Sequence, residues 1–597
     1  MNHRIPSTPL PIALLLACAT ATHAASEPAG DEIVVYGKKH PESLRRSAES
    51  VTVILGEELR LRGASTLAAA LASVAGMQLA PGGDGGPASS VPALLGLREF
   101  DAFLLVVDGV PAGAAYTPTL TGLSLLGVER IEVIKGAAPV AYGATSFVGV
   151  INVVHRAAGD LQGEVAAGVG SRNGGRVSLL QPLATIGGGW RQSLMVEVEA
   201  QDLSAARSDH GTGHALYRGG GALGAGTLGL DIDLVSVEQR PSSPQPREGS
   251  QLSARFPQDA NVNPSDARLD EDRASIATHA ALPTRLGDWD TRLAFTRIED
   301  RNLRGFLRAD FAVDGVTSNA DGYVQRVRRD EWYLDSHLAT APRAGLALVA
   351  GADLIAGDGE QRSRNFEYAV LPDGSNTPAH DTLPVDESTE LANGRRIGGV
   401  YVDGSIELAP RWRAELGVRW NAVDDHQRGA AQPTGGSAQN DADSRSDTRW
   451  SGALKSSYLL WQDGADYLTL FGNWSDNFKP AVIDFGPEAE AELLRPEDVQ
   501  GVELGLRTQL FAQRLKFEAM AFDKAFHDLV VAQAVNGLPA KLNGGDASLE
   551  GIELEATYLL LPGLRATATY ALHEARFDDY QQLFGSTMQQ LRDNYLE

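Results

Sequence analysis

The feature that most constrains this chain is a two-residue alternation of polar and apolar side chains, which recurs from about residue 160 onward. Residues 502–507, 552–558 and 194–199 each place an apolar side chain at every second position, with charged residues, threonine or glycine at most of the positions between. Successive side chains of a β-strand point to opposite faces, so the pattern predicts strands with one apolar and one polar face. A soluble β-sandwich with its charged face in water is the alternative interpretation.

The N-terminus indicates export. Residues 1–24 have a basic residue at Arg4, a short apolar run and small residues before Ala24, which together are typical of a secretory signal peptide. Cys18 lies in a context that also resembles a lipoprotein processing site, and this alternative stays open. Beyond the leader no window of 18 residues is uninterruptedly apolar, so no transmembrane helix is predicted. An exported chain that crosses a membrane without helices has to form a closed β-barrel.

Residues 41–159 have a different pattern. Ser65 and Thr66 precede a segment in which Leu67, Leu71 and Val74 fall on one helical face, and Gly76 follows where a helix would end. The apolar run 103–107 reads as a doubly buried strand that ends in a turn. The sequence therefore predicts a small α/β unit, which fits as a plug inside the barrel.

Composition and motifs argue against several classes of function. Aspartate and glutamate number 77 against 52 lysines and arginines, so a nucleic-acid partner is not expected. Ser146 lacks the flanking glycines of a nucleophile elbow, and His573 has no second histidine four residues on. We predict no catalytic residue, no metal site and no cofactor.

The segment 128–136, with Tyr142-Gly143 and the strand 149–153 after it, resembles the end of the plug domain of TonB-dependent outer-membrane receptors. Upstream, segment 105–111 is similar to an earlier segment of the family's plug, and segments 473–480, 494–505 and 551–555 are similar to barrel segments in the family's order. The resemblance implies an N-terminal α/β plug domain (41–159) inside a large antiparallel transmembrane β-barrel (160–597), of the type with about 22 strands. It also implies a monomer in the outer membrane of a Gram-negative bacterium, in contact with outer-membrane lipid.

The same resemblance gives residues 25–40 a role. They include the run Glu32, Ile33, Val34, Val35 and Tyr36, which is similar to the TonB box. In the family this segment joins its partner's sheet as an added strand. The implied partner is TonB, with its inner-membrane complex ExbB–ExbD. A loose edge strand of the plug is the alternative.

In the family, plug cations meet barrel carboxylates. The candidates here are Arg130 and Lys135 in the plug against Glu503 and Glu553 in the barrel. Solvated charge in the lumen is the alternative reading of these residues.

The resemblance implies active import of a scarce ligand, most often a ferric siderophore, with haem, cobalamin or a saccharide as alternatives. Tyr116 in the plug and four residues of a predicted long barrel loop are candidates for ligand binding. The loop residues are Arg362, Arg364, Phe366 and Tyr368. Their charges and aromatic rings would suit an anionic aromatic chelate. An uncoupled outer-membrane channel or barrel enzyme, or a secreted soluble adhesin, are the competing classes.

Two further expectations concern the barrel. Long loops are expected at about 240–272, 358–394 and 424–450, and aromatic residues near strand ends are expected to form interfacial girdles. The sequence stops at residues 593–597 without the family's closing aromatic strand, so we expect about 16–18 strands, about four to six fewer than the family type. An unclosed barrel would expose unpaired backbone groups to lipid.

Overall fold

The computed structural model describes residues 34–35, 39, 42–79, 92–97, 102–118, 120–136, 140–159, 161–248, 251–308, 312, 314–481, 483, 485, 493–535, 538–584 and 587–595. The predicted signal peptide lies outside these residues, as do Glu32, Ile33 and Tyr36 of the predicted TonB box.

The N-terminal part is an α/β unit of short elements. In chain order these are β1 (Val34–Val35), β2 (Glu42–Ser43), β3 (Ser50–Leu55), α1 (Gly56–Arg62), α2 (Leu67–Leu71), β4 (Met77–Leu79), β5 (Pro92–Leu94), β6 (Leu104–Val107), β7 (Val110–Pro111), β8 (Val128–Lys135) and β9 (Gly149–His155). The central sheet has the order β3-β8-β9-β6-β7, in which β6 and β9 run parallel. This arrangement confirms the predicted α/β plug.

The plug core forms where the sequence predicts it. The Thr66 side chain accepts a hydrogen bond from the Ala69 backbone N–H at 3.2 Å and so caps α2, whose Leu67 and Leu71 are fully buried. Capping of this kind satisfies a backbone donor that the helix itself leaves unpaired. Strand β6 is buried as expected, and the turn after it begins at Asp108, which has a left-handed φ of 50°.

The rest of the chain forms long antiparallel strands. These are β10 (Glu164–Val169), β11 (Gly175–Ile186), β12 (Trp190–Asp202), β13 (Asp209–Leu223), β14 (Gly226–Arg240), the short hairpin β15 (Arg247–Glu248) and β16 (Gln251–Leu252), β17 (Arg268–Pro283), β18 (Gly287–Leu307), β19 (Ala320–Thr340), β20 (Leu346–Tyr368), β21 (Glu387–Ala409), β22 (Trp412–Pro433), β23 (Gln439–Asp463), β24 (Asp466–Lys479), β25 (Glu497–Leu510), β26 (Leu515–Val535), β27 (Leu538–Leu561), β28 (Leu564–Phe584) and β29 (Thr587–Gln590).

These strands, without β15 and β16, form one 18-stranded sheet in sequence order from β10 to β29. The plug packs against strands near both edges of this order. Leu126 shares an apolar cluster with Leu180 of β11, whereas Leu94 shares one with Leu549 of β27 and Phe577 of β28. The sheet therefore curves around the plug, which confirms the predicted plug-and-barrel fold. Within the described part of the chain, no helix has the length and apolar character needed to span a membrane.

The predicted aromatic girdles are only partly correct. Trp332, Trp412 and Trp474 are exposed on the outer face, as expected. Tyr333 and Tyr401 are instead buried, because their position in the alternation turns them toward the lumen. Tyr467 is buried as well.

The predicted long loops are also only partly correct. The segment 241–267 connects β14 to β17, but 424–450 is a hairpin whose strands β22 and β23 are joined through residues 434–438. Strand β20 runs to Tyr368 and β21 begins at Glu387, which shortens the second loop. Strands that continue beyond the lipid keep their ladder but lose the apolar face, so their sequence resembles a loop.

Candidate functional site

The plug segment 112–118, here called the plug apex, extends toward the rim of the sheet at which the longer connections lie. Tyr116 lies here and is buried, and its hydroxyl donates to Asn393 Oδ1 of β21 at 2.7 Å. Its ring lies over Gly357 of β20, where an added Cβ would come within 2.9 Å of the ring. Burial, together with the nearby Glu331 carboxylate, raises the pKa of Tyr116 well above its usual value. The hydroxyl is therefore a neutral hydrogen-bond donor at any physiological pH.

Arg395 of β21 connects the barrel wall to this apex. Its guanidinium forms a bidentate salt bridge with the Asp425 carboxylate, with hydrogen bonds of 2.8 and 2.7 Å, and is almost fully buried. The same group donates to the backbone oxygen of Ala115 in the plug at 3.4 Å and to that of Ala481, beyond β24, at 2.6 Å. One arginine thus touches the wall, the plug and a connecting segment.

Two further cations lie near the apex. Arg329 of β19 donates to Thr117 Oγ1 at 3.4 Å and pairs with Asp300 at 2.6 Å. Lys479, at the end of β24, pairs with Glu497 at 2.9 Å. Charge and an aromatic hydroxyl therefore meet at the apex, on the side where long connections enter the sheet.

The four predicted barrel residues do not join Tyr116. Gly357 and Gly359 show that odd-numbered positions of β20 face the lumen, because each lies against a ring inside it. Arg362 and Arg364 are exposed on the opposite face. The structure therefore does not bring Arg362 and Arg364 to Tyr116, and their role in ligand binding stays a prediction.

Phe366 and Tyr368 are buried in a separate apolar cluster with Phe256 and Val262. The Tyr368 hydroxyl donates to the Val262 backbone oxygen at 2.9 Å. The prediction placed both rings in an accessible loop, and the structure instead packs them under the segment that connects β14 to β17.

The predicted plug–barrel ion pairs are present in part. Lys135 Nζ donates to Glu553 Oε2 at 2.5 Å, and both side chains are buried. His573 contacts the other oxygen of Glu553 at 2.9 Å. Burial disfavours the charged ammonium, but the Glu553 carboxylate outweighs this effect and raises the pKa of Lys135. The charged form of Lys135 is therefore favoured in this pair.

The other two candidates are arranged differently. Arg130 pairs within the plug, with Glu132 Oε1 at 2.7 Å. Glu503 accepts from Lys524 at 2.8 Å and from Asn473 at 2.9 Å, both of which belong to the barrel. The structure brings Lys135 and Glu553 together across the plug–barrel boundary, and it does not show a direct Arg130–Glu503 pair.

Lys39, which follows the predicted TonB box, also reaches the barrel wall. Its ammonium donates to Asp335 Oδ2 of β19 at 2.5 Å, and its backbone oxygen lies 3.2 Å from His337 Nε2. The ring centroids of Tyr142 and Tyr401 lie 5.2 and 4.9 Å from this ammonium. Strand β1, made of Val34 and Val35 of the predicted box, pairs with β2.

The next plug segment is bound to the wall through its backbone. Six consecutive carbonyl groups, from Leu44 to Glu49, each accept a hydrogen bond from a lumenal side chain of β23, β24 or β25. The donors are Ser457, Thr469, Asn473 and Arg507, and Arg507 alone serves three of the carbonyls. This segment is the most extensively hydrogen-bonded plug segment described above.

The sequence reasoning missed Lys39, Arg329, Asn393 and Arg395. For Arg329 and Arg395 the available signal was the alternation itself, since a cation at a lumen-facing position of a strand has to find a partner inside. Among the described residues, no group of three or more histidine, cysteine, aspartate or glutamate side chains is placed to hold a metal ion.

Family models decide which class of protein has this architecture. The model described as "TonB dependent receptor-like, beta-barrel" matches residues 201–596, and the "TonB-dependent Receptor Plug Domain" matches residues 43–150. The chain belongs to the TonB-dependent receptors. This family consists of outer-membrane transport receptors and is not an enzyme family.

The names of proteins similar to this TonB-dependent receptor mention different ligands. It is 30% identical over 168 residues to the vitamin B12 transporter BtuB of Vibrio vulnificus, an alignment that spans 27% of this chain and 26% of that one. It is 24% identical over 584 residues to the probable TonB-dependent siderophore receptor PiuA of Acinetobacter baumannii, which spans 86% of this chain and 74% of that one. The crystal structure of the siderophore receptor PiuA from A. baumannii matches with a TM-score of 0.74 at 16% identity, covering 95% and 85% of the two chains.

Proposed function

We propose that this TonB-dependent receptor binds a ferric siderophore at the plug apex and imports it. The observation that carries the proposal is the joint position of Tyr116, Arg329 and Arg395, which combine an aromatic hydroxyl with two cations. Anionic chelates with aromatic groups are recognised by this combination. The likeness to a siderophore receptor over most of both chains supports the same ligand class.

Cobalamin is the second candidate, because the relative with the highest identity given above is a vitamin B12 transporter. That similarity covers 27% of this chain, whereas the similarity to the probable siderophore receptor covers 86%. We therefore rank the ferric siderophore first.

We further propose that residues 25–40 bind TonB, with energy supplied by ExbB–ExbD. Val34 and Val35 are already extended and paired with Glu42 and Ser43 through two residue pairs. Such a short ladder is readily exchanged for pairing with a partner strand. The Lys135–Glu553 pair, in this proposal, holds the plug in place until TonB pulls.

The test is uptake of radiolabelled iron by a Gram-negative strain that lacks its own siderophore receptors and expresses this one. We expect iron supplied as a siderophore complex to accumulate, and we expect deletion of residues 31–37 to abolish accumulation while surface binding remains. Uptake that survives this deletion would instead indicate an uncoupled channel. Accumulation of labelled cobalamin without accumulation of iron would favour the second candidate.

A further inference from the structure

Two glycines of β20 create a recess in the lumen wall beside the plug apex. Gly357 makes room for Tyr116, as described above. Gly359 does the same for the ring of Phe485, because a Cβ at this position would lie 2.5 Å from Phe485 Cζ. Gly359 faces Asn393 on the neighbouring strand, so the recess has a polar side. A side chain larger than hydrogen at residue 359 would fill the space that the Phe485 ring occupies.

The ring in this recess belongs to the segment beyond β24. Phe485 meets Tyr116 edge to face, with ring centroids 5.3 Å apart and an angle of 65° between the planes. Its backbone oxygen accepts from Gln325 Nε2 at 2.5 Å, and the residue is half-buried. An edge-to-face pair of this kind contributes about 0.5–1.5 kcal/mol beyond simple burial. Phe485 is therefore seated in a fitted position by modest interactions.

The recess also contains an unused polar group. Asn393 Oδ1 accepts from Tyr116, but Asn393 Nδ2 has no hydrogen-bond partner among the described residues, and the side chain is 5% exposed. A buried amide donor without a partner is unfavourable, and natural structures rarely leave one. A benzene ring such as that of Phe485 offers no strong acceptor to this group. A ring that carries an oxygen at its edge would.

We propose that Phe485 occupies the niche formed by Gly359, Tyr116 and Asn393, and that a phenol or catechol ring of the chelate displaces it. The ring oxygen of the chelate then accepts from Asn393 Nδ2. This inference rests on the proposed uptake of a ferric chelate and narrows it to chelates with aromatic rings.

Displacement of Phe485 has a route to the plug. The backbone oxygen of Ala481, four residues before Phe485, accepts a hydrogen bond from Arg395, which also donates to the backbone oxygen of Ala115 in the plug. Withdrawal of the segment removes one partner of Arg395 and changes the hydrogen bonding at the plug apex. Ligand binding outside is thereby linked to the plug through a single guanidinium that remains fixed by Asp425.

The experiment compares two variants that both remove Phe485 from the niche. Phe485→Ala leaves the niche empty, and Gly359→Ala fills it. Equilibrium binding to the purified receptor is measured with a ferric tris-catecholate and with a ferric tris-hydroxamate that has no ring. If the niche of the natural receptor is open about one tenth of the time, Phe485→Ala binds the catecholate about 10-fold more tightly, because apparent affinity scales with the open fraction.

Gly359→Ala is expected to weaken catecholate binding at least as strongly, and neither variant should change hydroxamate binding. Two further variants accompany them. Phe485→Tyr places a phenol oxygen where Asn393 Nδ2 can donate to it, so it should hold the niche closed and bind the catecholate less tightly than the natural receptor. The control is Gly213→Ala, which adds a methyl group in open space on another strand. Folding is checked by the heat-dependent shift in gel mobility, and if Gly359→Ala does not fold, the comparison of Phe485→Ala with Phe485→Tyr remains decisive.

The outcomes separate the two proposals. Equal shifts for both chelates in Phe485→Ala, or no shift for either, overturn the niche and leave siderophore uptake standing. Failure of every variant, and of the natural receptor, to bind any ferric chelate overturns both.

Discussion

The Lys135–Glu553 pair provides the sharpest test of how the plug is held. Glu553→Gln keeps the shape of the side chain but removes its charge, which leaves a buried ammonium with only neutral oxygens in hydrogen-bond reach, such as the Ala75 backbone oxygen at 3.3 Å. Breaking a buried pair by removing one partner costs about 3–5 kcal/mol. Glu518 and Glu555 still attract Lys135, so we expect the lower end, about 3 kcal/mol.

This free energy has a measurable consequence. Because about 1.4 kcal/mol corresponds to a factor of ten, the equilibrium between seated and displaced plug shifts by about 100-fold. The assay is the open fraction of single receptors in planar bilayers, since a displaced plug conducts ions. Lys135→Met should have a smaller effect, because Glu553 keeps its contact with His573.

Glu197→Gln is the matched control. Its carboxylate on β12 is also buried, but it accepts a hydrogen bond from Arg176 of the neighbouring strand β11 at 3.0 Å, within the barrel. It should therefore leave the open fraction nearly unchanged. The reasoning is refuted if the cycle of Lys135→Met and Glu553→Gln gives a coupling below about 0.5 kcal/mol, the level expected of residues that do not interact.

Three further predictions follow from other contacts. Lys39→Gln and Asp335→Asn should each raise the rate of proteolysis before residue 42, because either variant removes the ion pair that holds this segment. Equal rates in both variants and the natural receptor would show that the ion pair does not hold the segment. Thr66→Ala should lower the free energy of plug unfolding by about 1 kcal/mol in urea titrations, through loss of the cap on α2. Burial opposes ionisation of Asp108, but Arg218 and the neighbouring His155 outweigh this effect and lower the pKa of its carboxyl group. The ionised carboxylate therefore contributes to stability above about pH 4, and this contribution is lost as the pH falls further. Asp108→Asn should destabilise the plug at pH 7 and differ progressively less from the natural receptor below pH 4.

The architecture was readable from the sequence because alternation is a local property. A strand such as β25 shows its two faces in residues 502–507 alone, and the plug elements follow from caps and apolar runs within a few residues. The pairing of Lys135 with Glu553 follows from the family resemblance and not from the alternation, which says only that Glu553 faces the lumen.

The apex site was not readable in the same way. Tyr116 and Asn393 are 277 residues apart in the chain, and their contact depends on the register of β20 and β21 and on the height of the plug. Arg362 shows how a one-residue difference decides the outcome, because Gln361 beside it faces the lumen and is buried. Composition near a strand end does not distinguish these two positions, whereas the lumenal glycines do.

The six bound carbonyls from Leu44 to Glu49 set the order in which a tensile load would act on the plug. Traction from the N-terminus first loads the pairing of β1 with β2 and the Lys39 contact, and then reaches these hydrogen bonds in turn, as in the opening of a zipper. Bonds loaded singly rupture at lower force than the same bonds sheared together. A machine that pulls from this end can therefore detach the leading edge in small increments before the load reaches Ser50 of β3, which pairs with Lys135 of β8 and so leads directly to the Lys135–Glu553 contact.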